Sequence, residues 1–112
     1  IICKVYYNVS GAVQGNSLST QAIFATIEQF FGPADLKLFQ DTYQPPAQAI
    51  SESIGDHSSD AQCQSDSNSC AEGNLDLQYV MSTSKVSPTT YWYTDLSWSD
   101  WLVTVANTVK PP

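Results

Sequence analysis

The sequence predicts an α/β domain in which helices cover a parallel sheet. Strand-like and helix-like segments alternate along the chain, an order that favours parallel strands joined by helical crossovers. The 112 residues are enough for one small domain. Because 42% of them are hydrophobic and only 13% are charged, the composition is too apolar for a disordered acidic chain.

Three segments are predicted as core strands. Residues 20–28 are rich in Ile, Phe and Ala, and residues 89–93 are a run of Thr, Tyr and Trp. Residues 47–54 alternate between small residues, Ala or Ser, and larger ones. A further alternating piece, residues 3–9, precedes a linker of Gly, Asn and Ser. The strands are therefore spaced widely enough for helical crossovers between them.

Three helices are predicted near residues 33–43, 73–84 and 97–109. Pro33 suits the first position of the first helix, and Pro45-Pro46 ends it. Ser97 is a favourable N-cap for the last helix, with Asp100 three positions later as an acidic variant of the capping box.

Residues 55–70 are predicted as a long polar surface loop, with the rim of a cleft around His57 as the alternative. Cys63 and Cys70 lie seven positions apart, which predicts a small disulfide loop contributing about 2–3 kcal/mol. Cys3 is then left over, to be buried or bonded to another chain. Zinc binding is not expected, because the cysteine spacing is wrong and there is one histidine.

The charge balance limits the classes of partner. Four basic residues stand against 11 acidic ones, a net charge of -7, so no basic patch is available for nucleic acid or an anionic membrane. No apolar run reaches the roughly 18 residues that a membrane span needs. The first residue, Ile1, and the abrupt end at Pro111-Pro112 suggest a processed chain that is part of a larger assembly. The sequon at Asn8 and the cysteine pair favour the secretory pathway or a lysosome-like compartment.

The candidate catalytic residues are Glu72 and Asp76. Four residues apart on a helix, the two carboxylates share one face, and we expect them at the helix start, where the dipole stabilises anions. Such a pair titrates as a unit and can act as a general base at acidic pH, where a histidine would be charged. From spacing alone, capping and dipole roles are the commoner explanation.

A family resemblance strengthens the catalytic interpretation. Residues 71–81 closely resemble the catalytic Glu/Asp helix of the sedolisins, the serine-carboxyl peptidases: Glu, three residues, Asp, an apolar residue, Gln and Tyr. Residues 3–9 look like the opening of the mature catalytic domain, and residues 21–39 look like the first strand and helix of the tripeptidyl-peptidase I and physarolisin branch. Residues 88–91 and 98–102 match the later strand and helix, so the resemblance spans nearly the whole chain.

This resemblance implies a subtilisin-like parallel-sheet fold and a Ser-Glu-Asp triad. Glu72 would be the general base, and Asp76 would hold and polarise it. The nucleophilic serine, the oxyanion Asp and the calcium-binding carboxylates of the family lie outside residues 1–112, which would form the N-terminal portion of the catalytic domain. Any calcium would therefore belong to the complete domain, and this chain would hold no cofactor itself. Ser82-Thr83-Ser84 resembles the nucleophile motif but lacks its preceding glycine.

Three functional hypotheses remain open. In the first, a second polypeptide supplies the serine of an acid-acting peptidase whose substrates are peptides or proteins. In the second, the chain is a truncated, inactive binding or inhibitory protein, whose exposed sheet edge would require dimerisation or rearrangement. In the third, it is a small secreted lectin-like domain that stacks sugars on Trp92, Trp98 and Trp101. The choice between endopeptidase and tripeptidyl-peptidase depends on residues elsewhere.

Overall fold

The computed structural model describes residues 16–43 and 48–108. The strands in these ranges are β1 (Gln21–Ala25), β2 (Glu52–Ile54) and β3 (Thr89–Tyr93). The helices there are α1 (Pro33–Tyr43), α2 (Asp60–Ser65), α3 (Asn68–Thr83) and α4 (Trp98–Ala106). The strands form a sheet in the order β1-β3-β2, and both pairings are parallel. The predicted α/β class, with a parallel sheet flanked by helices, is confirmed.

One face of the sheet forms the main hydrophobic core. Side chains from β1 and β3 pack there against α1, α3 and the segment that follows β1. Alternation along the two strands brings their inward residues to this face. The core consists of Ile23, Ala25, Phe31, Leu36, Leu77, Met81, Tyr91 and Tyr93.

The opposite face of the sheet is covered by α4. Phe24 and Trp92, which are paired in register across β1 and β3, point to this side. Trp101 contacts both rings, at centroid distances of 4.9 Å and 5.8 Å, and is itself buried. The predicted cap of α4 is confirmed, since Ser97 Oγ accepts from the Asp100 N–H at 3.3 Å and donates to its carboxylate at 2.7 Å.

The predicted loop over residues 55–70 is wrong in part, because α2 forms inside it and α3 begins at Asn68. Ser59 caps α2 by accepting from the Gln62 N–H at 3.1 Å. The predicted Cys63–Cys70 disulfide is confirmed, with an S–S distance of 2.05 Å, and it joins α2 to the first turns of α3. A polar segment thus becomes helical through its cap and its cross-link rather than through an apolar face.

Several sequence features lie outside the described residues. These are Cys3, the sequon at Asn8, the alternating residues 3–9, and Pro45-Pro46. The second strand is shorter than predicted, as β2 covers only Glu52–Ile54, although the Ser51 N–H still donates to the Thr89 carbonyl at 2.7 Å.

Candidate functional site

Glu72 and Asp76 both lie on α3, one turn apart. The expectation that they begin the helix is wrong, because α3 starts four residues earlier, at Asn68. The unpaired N–H groups and the helix dipole stabilise anions in the first turn of a helix. Glu72 lies beyond that turn of α3. Its position must be explained by contacts with the rest of the fold.

The main such contact comes from a tight turn directly after β1. The Gln29 N–H donates to the Thr26 carbonyl at 3.1 Å, and the two central residues, Ile27 and Glu28, have φ values of 52° and 55°. Two consecutive left-handed residues define a turn that normally selects Gly or Asn. An exposed β-branched Ile27 in this conformation is strained by about 1–2 kcal/mol.

The turn brings Gln29 against the face of α3 that carries the two carboxylates. Gln29 Nε2 donates to Glu72 Oε2 at 2.5 Å, and the Phe30 N–H donates to the Ser69 carbonyl at 2.8 Å. Because Gln29 follows the end of β1, Glu72 is held at the carboxyl edge of the parallel sheet. Ligands of open α/β sheets bind at this edge.

Gly73 allows α3 to approach this turn closely. A Cβ at Gly73 would lie 2.3 Å from the Phe30 carbonyl oxygen and 2.6 Å from the Tyr91 hydroxyl. Tyr91 is fully buried, and its hydroxyl donates to the Gln29 carbonyl at 3.1 Å. The glycine between the two carboxylates thus lets β3, the turn and α3 meet at one point.

The electrostatics of the site distinguish the two carboxyls. Glu72 is exposed, whereas Asp76 is half-buried. Burial, and then the negative charge of Glu72, raise the pKa of Asp76 above its ordinary value. Burial and the charges of Asp76 and Glu72 also raise the pKa of Tyr91 well above its usual range, so the phenol stays neutral and can donate. Direct sharing of a proton between the Glu72 and Asp76 carboxyls stays a prediction.

His57 is packed between aromatic rings and does not stand exposed at the rim of a cleft. Its ring stacks between Phe30 and Tyr93, with centroid distances of 4.2 Å and 3.2 Å, and its Nδ1 lies 2.5 Å from the Gly55 carbonyl. Its Nε2 is 3.7 Å from the Glu28 carboxylate. His57 therefore packs against the segment after β1, through the Phe30 ring and near the Glu28 carboxylate.

The opposite side of α3 ties the helices together. Asn74 accepts from the Gly32 N–H at 2.8 Å and donates to Asp35 at 2.8 Å, while Asp60 accepts from the Ala34 N–H at 2.8 Å. The start of α1 is therefore capped by side chains of α2 and α3. A groove of about 520 Å³, lined by polar and apolar side chains, runs between α1 and α3 on this side, away from Glu72.

The serine look-alike lies far from the carboxylates. Ser82 and Thr83 are at the other end of α3, about 15 Å along the axis from Glu72 by helical rise. Their hydroxyls donate to the Tyr79 carbonyl at 2.9 Å and 3.0 Å. These two hydroxyls bond within the end of the helix and are not placed to meet Glu72.

The three tryptophans do not form a shared binding surface. Trp92 and Trp101 are 9% and 7% exposed, whereas Trp98 is 56% exposed. Two of the three rings that the lectin-like hypothesis requires for stacking are therefore engaged in packing α4 onto the sheet.

Within residues 16–43 and 48–108, no group of three or more His, Cys, Asp or Glu side chains is arranged to hold a metal ion. In the same ranges no helix combines the length and the apolarity needed to cross a membrane. Comparison with protein-family models, with curated proteins and with solved structures finds no match to this chain.

Proposed function

We propose that this chain supplies the general base of an acid-acting serine-carboxyl peptidase of the sedolisin type. The observation that carries the proposal is the different setting of two carboxyls one turn apart. Glu72 is exposed and accepts an amide N–H, whereas burial raises the pKa of Asp76. Two carboxyls whose surroundings differ in this way are suited to divide the roles of base and proton carrier.

In the proposed mechanism, Glu72 takes the proton of a serine hydroxyl contributed from outside these 112 residues. The serine oxygen attacks the peptide carbonyl, and a protonated Asp, also from outside, donates to the oxyanion. Glu72 then passes its proton to the leaving amine as the C–N bond breaks. A water molecule, activated by Glu72, releases the acyl group. In this mechanism Asp76 holds and polarises Glu72 by sharing a proton with it.

This chemistry suits an acidic compartment, because a carboxylate base stays unprotonated at a pH where histidine is charged. The Cys63–Cys70 disulfide is consistent with a secreted or lysosome-like location. Calcium would bind in the complete domain and not among these residues. The substrates would be peptides or proteins.

The missing serine implies a partner, either a second polypeptide or the remainder of the same one. The outer side of α4 is apolar and exposed, with Trp98, Leu102 and Val103 at 56%, 45% and 60% exposure. In addition, β1 and β2 are the outer strands of the described sheet. We expect the partner to bury well above the roughly 1,600 Å² of a standard interface, because the division would run through one domain.

The exposed apolar side of α4 also favours the second hypothesis, an inactive binding or inhibitory protein. In that case α4 would dock on a target without any serine approaching Glu72. The two functions differ in one measurable respect, since only the first requires the carboxylate of Glu72.

The test is peptide hydrolysis by the native assembly between about pH 3 and 6, where carboxylates titrate. Glu72→Gln and Asp76→Asn should each lower turnover by at least roughly a hundredfold, the usual order for a positioned base, and neither should lower the melting temperature appreciably. Glu52→Gln, at an exposed carboxylate on β2, is the matched control and should keep full activity. Intact activity with a lower melting temperature would assign Glu72 and Asp76 a structural role. No hydrolysis by the wild-type assembly would favour the binding protein.

A further inference from the structure

Gln29 is held by contacts on both its backbone and its side chain. Its side-chain oxygen accepts from the Thr26 N–H at 3.1 Å, and its own N–H donates to the Thr26 carbonyl at 3.1 Å. The buried Tyr91 hydroxyl donates to the Gln29 carbonyl. The side-chain nitrogen Nε2 takes no part in these three contacts. It donates to Glu72 Oε2.

The orientation of the Gln29 amide is fixed by chemistry. A backbone N–H can only donate, so the group facing Thr26 must be the amide oxygen Oε1. Nε2 therefore faces Glu72 and donates to its Oε2. Oε2 is thus engaged as an acceptor, and the other oxygen of the Glu72 carboxylate, Glu72 Oε1, takes no part in this contact.

We propose that Gln29 is the positioning residue of the base: it holds Glu72 Oε2 as an acceptor and presents Glu72 Oε1 to the attacking serine. This inference rests on the proposed function. The raised pKa of Asp76 supports it, because burial and the negative charge of Glu72 cause that shift, which shows that the two carboxyls interact. Burial of Tyr91 supports it too, because a rigid second layer limits the motion of Gln29.

A purely structural role makes a different prediction. If Gln29 only joined the turn to α3, its loss would lower the melting temperature and leave the pH dependence of catalysis unchanged. A positioning role predicts a change in turnover and in the acid limb of the pH profile. The loss of a donor makes the carboxylate form of the base less favourable, so this limb moves to higher pH.

The experiment compares Gln29→Met with the wild type in the native assembly, measuring kcat, KM and the pH profile of kcat/KM. Met keeps the length of the side chain but donates no hydrogen bond. We expect kcat to fall by about tenfold with KM nearly unchanged, and the acid limb to move up by roughly half a pH unit. Gln29→Glu keeps an acceptor for Thr26 and tests the site if the Met variant does not fold. Its loss of activity should be larger above about pH 5, where the introduced carboxyl is charged, than below it.

A double variant that combines Gln29→Met with Glu72→Gln distinguishes a failure of the role of Gln29 from a failure of the proposed function. If Gln29 acts through Glu72, adding Gln29→Met to Glu72→Gln should cost no further activity. Wild-type kcat and pH profile in Gln29→Met, beside an inactive Glu72→Gln, would overturn the role of Gln29 alone. Additive losses in the double variant would also overturn it. Full activity in Glu72→Gln would overturn the proposed function and this inference with it.

Discussion

Replacing Gly73 by Ala tests the close contact on which the site geometry depends. Ala is the better helix former, so in an ordinary helix this change stabilises the fold by about 1 kcal/mol. In α3 the added Cβ would lie 2.3 Å from the Phe30 carbonyl oxygen and 2.6 Å from the Tyr91 hydroxyl. The Phe30 carbonyl shares its peptide unit with the Phe31 N–H, which donates to the His57 carbonyl at 3.1 Å, so the carbonyl cannot turn away without disturbing that bond.

Overpacking of this kind costs about 1–3 kcal/mol, and the contact with a backbone atom places Gly73→Ala at the upper end of that range. After the gain in helix propensity, we expect a net destabilisation of about 1–2 kcal/mol. For a domain of this size the melting temperature should fall by about 4–8 °C. The same displacement moves Gln29 away from Glu72, so peptidase activity should fall as well.

The assay for Gly73→Ala is thermal unfolding followed by circular dichroism, with Ser82→Ala on the same helix as the control. Ser82 is near the helix end and its hydroxyl bonds only locally, to the Tyr79 carbonyl. Its replacement should leave the melting temperature unchanged or slightly higher. A melting temperature of Gly73→Ala at or above that of the wild type would refute the reasoning, because it would mean that the turn and α3 are not in contact.

Three further changes test other parts of the structure. Ile27→Asn should raise the stability by about 1 kcal/mol in urea unfolding, because Asn tolerates the left-handed conformation and the exposed Ile27 side chain loses little burial; a loss of stability would contradict the strained turn. The raised pKa of Asp76 means that the folded state holds this proton more tightly than the unfolded state, so its contribution is present at low pH and is lost as the pH rises through the folded pKa. The melting temperature of Asp76→Asn relative to the wild type should therefore increase from pH 3 to pH 7, and a constant difference would contradict the shift. Replacing both Cys63 and Cys70 by Ser should cost about 2–3 kcal/mol in the same urea assay, and an unchanged midpoint would show that α2 and the start of α3 hold without the cross-link.

The elements with strong local signals could be predicted from the sequence. The bounds of α1 agree with the prediction from Pro33 and the apolar spacing, and β3 agrees with its run of β-formers. α2 was not predictable in this way, because Asp60–Ser65 has no apolar face. It depends on the Ser59 cap and on the disulfide to α3, contacts that a periodicity analysis does not detect.

In the candidate site, too, the local features could be predicted and the tertiary contacts could not. The spacing of Glu72 and Asp76 is local, so the sequence predicts that they share a helix face. Gln29 was missed because its contact with Glu72 spans 43 positions, and no short pattern marks it. The Ile27–Glu28 turn was missed as well, since left-handed backbone at two such residues opposes their intrinsic preferences. The contacts that follow this turn, from Tyr91 to the Gln29 carbonyl and from His57 to the Phe30 ring, are tertiary, so local propensity does not reveal them.

The central claim is that Glu72 activates a serine that lies outside these residues. The most direct measurement is the rate at which a fluorophosphonate probe labels the native assembly, with the labelled serine located by mass spectrometry. We predict labelling of a serine outside residues 1–112, slowed at least roughly a hundredfold by Glu72→Gln, the order expected for losing a positioned base. Labelling within this chain, or an equal rate in the wild type and in Glu72→Gln, would contradict the account.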